Sequence, residues 1–480
     1  MKDTNLISLL RTFSKNEITK FEKFLSSPFF SEGRSIRSRI INDYFRHLKK
    51  FHPSFSGNNF TKEKLFRAVY TGIEFNDSLF RKLNSDLLKQ AERFLIQIEL
   101  EMSRMDSGKF LLSQLMKREQ EKLFDKCFKA MISSLSGLKK DQEFFYETYY
   151  LWQKKWEVSY GRKNIYKIEN EISQANNYFY YVILGSLRIY LWAISNFRIM
   201  NKDNDLMMFE EILNYVENNI DKFREVPQIL YYYFLIRMII GKEEIYFKKL
   251  KVLKKKEFDF LSDLDKMNFF VMMTNFCHDK YSSGSEKYRI ERFELDKEYL
   301  EFIKKIDKPV VHVFFILAAS KNANRLGEFA WVRKVLKEYG SFIMNDNKDF
   351  MLKYVEADNC FHNKNYDEAI GLLSQIKTSY SNEKQNIRNL MIQIFYERSQ
   401  ADSVLSLIDT SRHFLKRDKH LTEISKRSFQ NFLKFTGKLI KATNSGNSKE
   451  CQFLKKNILE SNEVTNKDWL LEKVNQLIEY

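Results

Sequence analysis

Three stretches in the C-terminal third of the chain can be laid over one another, and this repetition restricts the fold more than any other feature. They are LGEFAWVRKVLKEY from Leu326, NKNYDEAIGLLSQIK from Asn363 and RSQADSVLSLIDTSR from Arg398. With Phe329, Tyr366 and Ala401 matched, Val332, Ala369 and Val404 fall in register, and so do Val335–Leu336, Leu372–Leu373 and Leu407–Ile408. The spacings, about 37 and about 35 residues, suit a helical hairpin repeated along an array. Ser320 and Ala357, both small, stand about three turns before Val332 and Ala369. Helices of a hairpin approach closely where both carry small side chains. Ile392 takes that position in the third unit, which argues against an equally close approach there.

Glycine and proline extend the helical expectation to the rest of the chain. The 480 residues include 14 Gly and 4 Pro, far below the usual roughly 7% and 5%. Strand-rich folds need turns with positive φ, and nucleotide-binding α/β folds need glycine where backbone approaches phosphate. Pro227 and Pro309 each open an apolar run, as expected for a first helical turn. Pro28 and Pro53 lie in breaks, SSPFFSEG and FHPSFSGNN. A hydrophobic content of 44% is ample for a packed core.

Residues 1–105 are expected to form an N-terminal helical unit. Leu6, Leu9, Leu10 and Phe13 share a helix face, and Ser14 followed by Glu17 predicts a capping box. Ile18, Phe21, Phe24 and Leu25 carry a second helix to Pro28, and Ile36 to Leu48 holds a third. Thr61 caps a fourth, and Asn76 or Asp77 starts a long apolar run toward Leu115. Residues 106–305 alternate apolar-rich and amphipathic helices, as in a divergent hairpin array with one helix of each pair covered and the other facing water. There Tyr178–Met200 reads as a buried helix, because Arg188, Asn196 and Arg198 interrupt a run of nearly membrane-spanning length. Lys287–Lys305 reads as a highly charged helix. Residues 306–480 hold the repeats and C-terminal capping helices.

NYDEAIGLL and LGEFAWVRKVL resemble the turn and second helix of tetratricopeptide-like repeats, with similarity over about residues 310 to 416. The layout also resembles a group of uncharacterised bacterial proteins whose N-terminal unit carries K-F-x-K-F-L-x-S-P-F-F, present here as Lys20–Phe30 with Glu22 at the variable place. That second resemblance implies no activity. The first implies an all-α fold, an α-solenoid of helical hairpins with an N-terminal helical unit, and a concave groove that binds a peptide or helix. Groove positions then fall near the end of each first helix. They are Lys321, Asn324 and Arg325 in the first unit, Asp358 and His362 in the second, and Asn389, Gln393 and Tyr396 in the third.

Catalytic signatures are missing from the sequence. It contains no G-x-x-x-x-G-K-[ST], no G-x-G-x-x-G and no H-E-x-x-H. Cys277 and His278 are adjacent, so a helix points them about 100° apart. Cys360 and His362 supply two ligands where structural zinc takes four. His413 and His420, among Arg412, Lys416, Arg417 and Lys419, suit a helix C-terminus. No catalytic, cofactor-binding or metal-binding residue is expected, and no cofactor. The four cysteines form no CxxC pair, which suits a reducing compartment. The N-terminus has charges on both sides of a very short apolar stretch, unlike a signal peptide. A cytoplasmic location without membrane insertion is expected.

The function expected is a non-enzymatic scaffold or adaptor for a protein or peptide partner. The net charge of +17 supplies an alternative, nucleic-acid binding through basic helices at 34–46 and 242–256. The first holds Arg34, Arg37, Arg39 and Arg46, and the second Lys248, Lys249, Lys251, Lys254, Lys255 and Lys256. Spread among 63 acidic residues, the basic ones are clustered only locally.

Overall fold

The computed structural model describes residues 4–27, 36–160, 168–200, 206–282, 284–307, 309–343, 348–445, 448–461 and 463–479. Among the described residues the chain is all-α, with helices packed as neighbouring pairs and one isolated parallel bridge between Val311 and Ile343. It divides into two compact units, Met1–Val182 and Ile183–Tyr480.

The first unit contains α1 (Asn5–Thr12), α2 (Lys15–Ser26), α3 (Ile36–Leu48), α4 (Lys62–Val69), α5 (Asp77–Met102), α6 (Arg104–Lys117), α7 (Glu121–Leu135) and α8 (Gln142–Tyr160); the boundary falls within α9 (Ile168–Met200). Local chemistry sets the helix starts. The Glu17 amide donates to Ser14 Oγ at 3.2 Å while the Ser14 amide donates to Glu17 Oε2 at 2.7 Å, completing the capping box. Thr61 and Asn76 cap α4 and α5 with one bond each, their side chains accepting from the Lys64 and Leu79 amides.

The long apolar run from Asp77 is broken, contrary to expectation. Ser103 closes α5 with its N–H on Glu99 O and opens α6 with its hydroxyl accepting from the Asp106 amide at 3.1 Å. A serine hydroxyl can satisfy the free amides of a helix start, so one residue ends one helix and begins another.

Aromatic rings make up much of the core of these helices. Phe21 lies 4.7 Å from Phe45 and 5.1 Å from Phe94, ring centre to ring centre, and Phe13 and Phe24 join them around Phe94. Rings of this size fill the space between helices without breaking their backbones. In the Lys20–Phe30 motif, Phe21, Phe24 and Leu25 are core while Lys20 and Lys23 face solvent; Pro28, Phe29 and Phe30 lie outside the described residues. Among its described side chains, α9 has one covered and one exposed side. Ile183, Leu184, Leu187 and Leu191 are buried, but Phe179, Ile189 and Trp192 are exposed, Trp192 by 72%. Among the described residues no helix is long and apolar enough to cross a membrane.

The second unit contains α10 (Phe209–Asn218), α11 (Pro227–Gly241), α12 (Glu244–Glu257), α13 (Asp263–Ser282), α14 (Lys287–Ile303), α15 (Val313–Arg325), α16 (Phe329–Tyr339), α17 (Lys348–His362), α18 (Tyr366–Gln375), α19 (Ser381–Glu397), α20 (Ala401–Arg417), α21 (Glu423–Ser445), α22 (Ser448–Glu460) and α23 (Lys467–Glu479). Pro227 opens α11 as expected. Pro309 does not open a helix. The Val311 N–H is held by Phe342 O at 3.1 Å, and α15 begins later, after His312.

The sequence repeat has a backbone counterpart. Gly327, Lys364 and Ser399 all take left-handed φ, at 79°, 63° and 57°. The next residues, Glu328, Asn365 and Gln400, donate their N–H groups to Ala323 O, Cys360 O and Phe395 O at 2.9, 2.8 and 2.9 Å. Phe329, Tyr366 and Ala401, matched in the sequence, each begin the second helix of a hairpin. The same turn joins α6 to α7, where Glu119 has φ 55° and the Gln120 N–H reaches Leu115 O at 3.0 Å. Ile392 is fully buried, and α19 packs on the 17-residue α20 more extensively than α15 does on α16 but less than α17 does on the 10-residue α18.

Candidate functional site

Each of the eight residues expected to line a groove lies in the second unit, and each is buried or half-buried. Lys321, Asn324 and Arg325 close α15, Asp358 and His362 lie one turn apart at the end of α17, and Asn389, Gln393 and Tyr396 follow one face of α19. The shared turn fixes where each first helix stops and so aligns these ends.

Two of the three ends are directly cross-linked. The Asn324 side-chain amide donates to Asp358 Oδ2 at 2.7 Å and accepts from Asn359 Nδ2 at 2.8 Å. His362 Nε2 is 4.0 Å from Asp358 Oδ1, and the Lys321 ammonium sits 5.5 Å over the Tyr354 ring. Burial holds the His362 pKa below its ordinary value; Arg325 and Lys321 push the same way, against Asp358 and Glu472. On α19, Gln385 Nε2 donates to Asn389 Oδ1 at 2.9 Å, and Gln393 is buried. Among the described residues, no hydrogen bond joins Asn389 or Gln393 to the α15–α17 group.

Two of these helix ends, those of α15 and α19, are met by α23. Arg325 Nη1 donates to Glu472 Oε2 at 2.7 Å. One helix earlier, Arg289 of α14 donates to Asp468 Oδ2 at 3.1 Å. On α19, Glu397 Oε1 accepts from Trp469 Nε1 at 2.9 Å and pairs with the Lys473 ammonium at 2.8 Å. The Trp469 ring is 1% exposed, with Tyr396 edge-on at 5.2 Å and Phe432 at 6.0 Å. Burial works against the Glu472 carboxylate, but Lys473 and Arg325 outweigh it and hold its pKa low. Burial likewise opposes the Lys473 ammonium, and its bonds to Glu397 and Glu472 outweigh it and hold its pKa high.

Sequence reasoning passed over Arg289, Glu397, Asp468, Trp469, Glu472 and Lys473. The available signal was the DWLLEK run, which places Asp468 with Glu472, and Trp469 with Lys473, one turn apart on neighbouring lines of a helix face. The charge of α14 is not all on its solvent side. Along one side it buries Arg289, Arg292 and Asp296. Asp296, fully buried, lies 3.5 Å from Arg292 Nε, and burial raises its carboxyl to about 7 against the opposing effect of Arg292. Arg292 also donates to Tyr281 OH at 3.2 Å, and the Arg289 guanidinium stacks 4.3 Å over the same ring.

The basic cluster on α12 is largely engaged internally. Lys248 pairs with Glu244 at 3.1 Å, Lys251 with Glu291 at 2.6 Å, Lys254 with Glu298, and Lys249 lies 5.3 Å over both Phe234 and Tyr246. In the other cluster Arg37 pairs with Asp86 at 2.5 Å and Arg46 with Asp43 at 3.2 Å, while Arg34 lies outside the described residues. The cysteines of the two Cys–His pairs, Cys277 and Cys360, are buried, which pushes each thiol up to about 12. Comparison with family models, with characterised proteins and with solved structures finds no match.

Proposed function

We propose that the chain is a non-enzymatic interaction scaffold. In this reading its C-terminal hairpins form a tetratricopeptide-like solenoid, and the ends of the first helices line a concave groove that takes a helix or peptide of a protein partner. One observation carries it. The helix ends of α14, α15 and α19 already bind a helix, α23, through paired charges and a buried tryptophan, so this face has the chemistry to hold a helical ligand. The turn shared by the three hairpins supports the repeat reading, and four free cysteines fit a cytoplasmic location.

Site-specific photo-cross-linking tests it. A photoreactive residue placed at Lys321 or His362 should yield a discrete, nuclease-resistant protein adduct in native lysate. The same probe at Arg412, exposed on α20, should yield none. Equal adducts from Arg412 would sink the scaffold reading. Adducts that vanish with nuclease and added salt would transfer the function to the basic helices.

A further inference from the structure

We infer that α23 is the groove's own ligand held in cis, and that the partner which replaces it presents an amphipathic helix of the same face: an acidic residue, an aromatic residue beside it, and a second acidic residue one turn on. This rests on the scaffold reading and names the partner's chemistry.

The two sides of α23 differ in kind. Toward α21 and α22 it is apolar, with Leu470 and Val474 fully buried in the core they share. Toward α14 and α15 it is ionic, through Asp468 on Arg289 and Glu472 on Arg325, and toward α19 it combines the Lys473–Glu397 pair with the buried Trp469 ring against Tyr396. Packed helices elsewhere in this unit also share polar bonds, as α15 and α17 do through Asn324 and Asp358, but α23 makes a charge-assisted bond to each of three different helices. Partly exposed ion pairs add little holding strength and weaken in salt, but they select register and partner. A buried tryptophan whose N–H is satisfied is the usual anchor of a recognised helix. Here that anchor and the two acids lie within five residues, Asp468 to Glu472, and three different helices read them.

The connection across residues 461–466 is short, so α23 competes from a high effective concentration. The isolated segment, which makes no contact that α23 does not already make, therefore binds detectably only when the cis pairing is weakened, whereas a partner with additional contacts displaces α23 from the wild-type chain. Replacing Glu472 by arginine does this without touching the receiving face, because it sets two cations against each other at the Arg325 site.

The probe is a fluorescein-labelled peptide of residues 463–479, followed by anisotropy against the full chain. The Glu472→Arg chain should bind it at least tenfold more tightly than the wild-type chain. In the Arg325→Glu/Glu472→Arg chain the cis pair is restored with reversed charges, and binding should fall back to the wild-type level or below. Equal weak binding to all three folded chains would overturn the inference and make α23 a permanent part of the core. Should Glu472→Arg fail to fold, hydrogen exchange of the wild-type chain decides. Amides of α23 exchanging at least tenfold faster than those of α21 support a replaceable helix, and equal protection overturns it. Neither result bears on cross-linking at Lys321 and His362, so failure of the scaffold reading shows separately.

Discussion

The indole nitrogen of Trp469 donates to the Glu397 carboxylate at 2.9 Å, across 72 residues of chain. The bond joins α23 to α19 at the point where the Lys473 ammonium meets the same oxygen. Trp469→Phe keeps most of the buried ring and loses the hydrogen bond, and Glu397 keeps its lysine. A loss of about 1 kcal/mol is expected. Trp469→Ala empties the site between Tyr396 and Phe432 and should cost roughly 3–5 kcal/mol. Chemical denaturation followed by circular dichroism separates the two, and equal losses would count against this account of the bond.

The recurring turn gives a second test. Gly327 occupies a left-handed position with no atom near an added Cβ, so only the backbone resists a side chain there. Gly327→Ala should destabilise by about 1 kcal/mol. Lys364→Gly and Ser399→Gly, at the equivalent positions, should each stabilise by roughly 0.5–1 kcal/mol. Opposite signs for Gly327 and the other two, read from thermal melts, are the expected outcome.

Asp296 predicts a pH dependence. Its carboxyl is raised to about 7 in the folded chain, against about 3.9 when unfolded. Between those values the folded state holds the proton and the unfolded state releases it, so stability falls as pH rises through this window. Above about 7 the loss is complete. Asp296→Asn removes this slope, although it leaves Arg292 without its carboxylate at every pH. The stability of the wild-type chain relative to Asp296→Asn should therefore fall by about 2–3 kcal/mol between pH 5 and pH 8. A difference independent of pH would contradict the placement of this group.

Ser14→Ala removes one arm of the capping box and should cost about 1 kcal/mol, with little further loss on adding Glu17→Ala, which removes the other. The two changes should be strongly non-additive in a double-mutant cycle, because each residue holds the other's backbone N–H. Additive losses would show that the two bonds act independently.

These features were not equally visible in the sequence. Helix starts at Ser14, Thr61, Asn76 and Pro227 depend on side chains within a few residues of the bonds they make, and local pattern carries them. The register of Phe329, Tyr366 and Ala401 survives because each follows a turn that must close the same way. The break at Ser103 carried a local signal too, Ser103 with Asp106, but the apolar run around it was given more weight. Charge on α14 suggested contact with water, whereas its arginines meet Tyr281, Asp296 and Asp468. Periodicity tells which face of a helix is apolar, but not which distant helix will pair with a buried charge. Most candidate residues lie near the ends of the expected helices, and the helix that meets Arg325 and Tyr396 there comes from a segment that local pattern marks only as a cap.

The bond between Arg289 and Asp468 spans 179 residues. At translation rates of about 5–20 residues per second, the aspartate is made roughly 9 to 36 s after the arginine. For that interval Arg289 and Arg325 have no acid from α23 to meet, and the apolar surface under Trp469 has no lid. Anything able to sit on that face has its best chance while the chain is still on the ribosome.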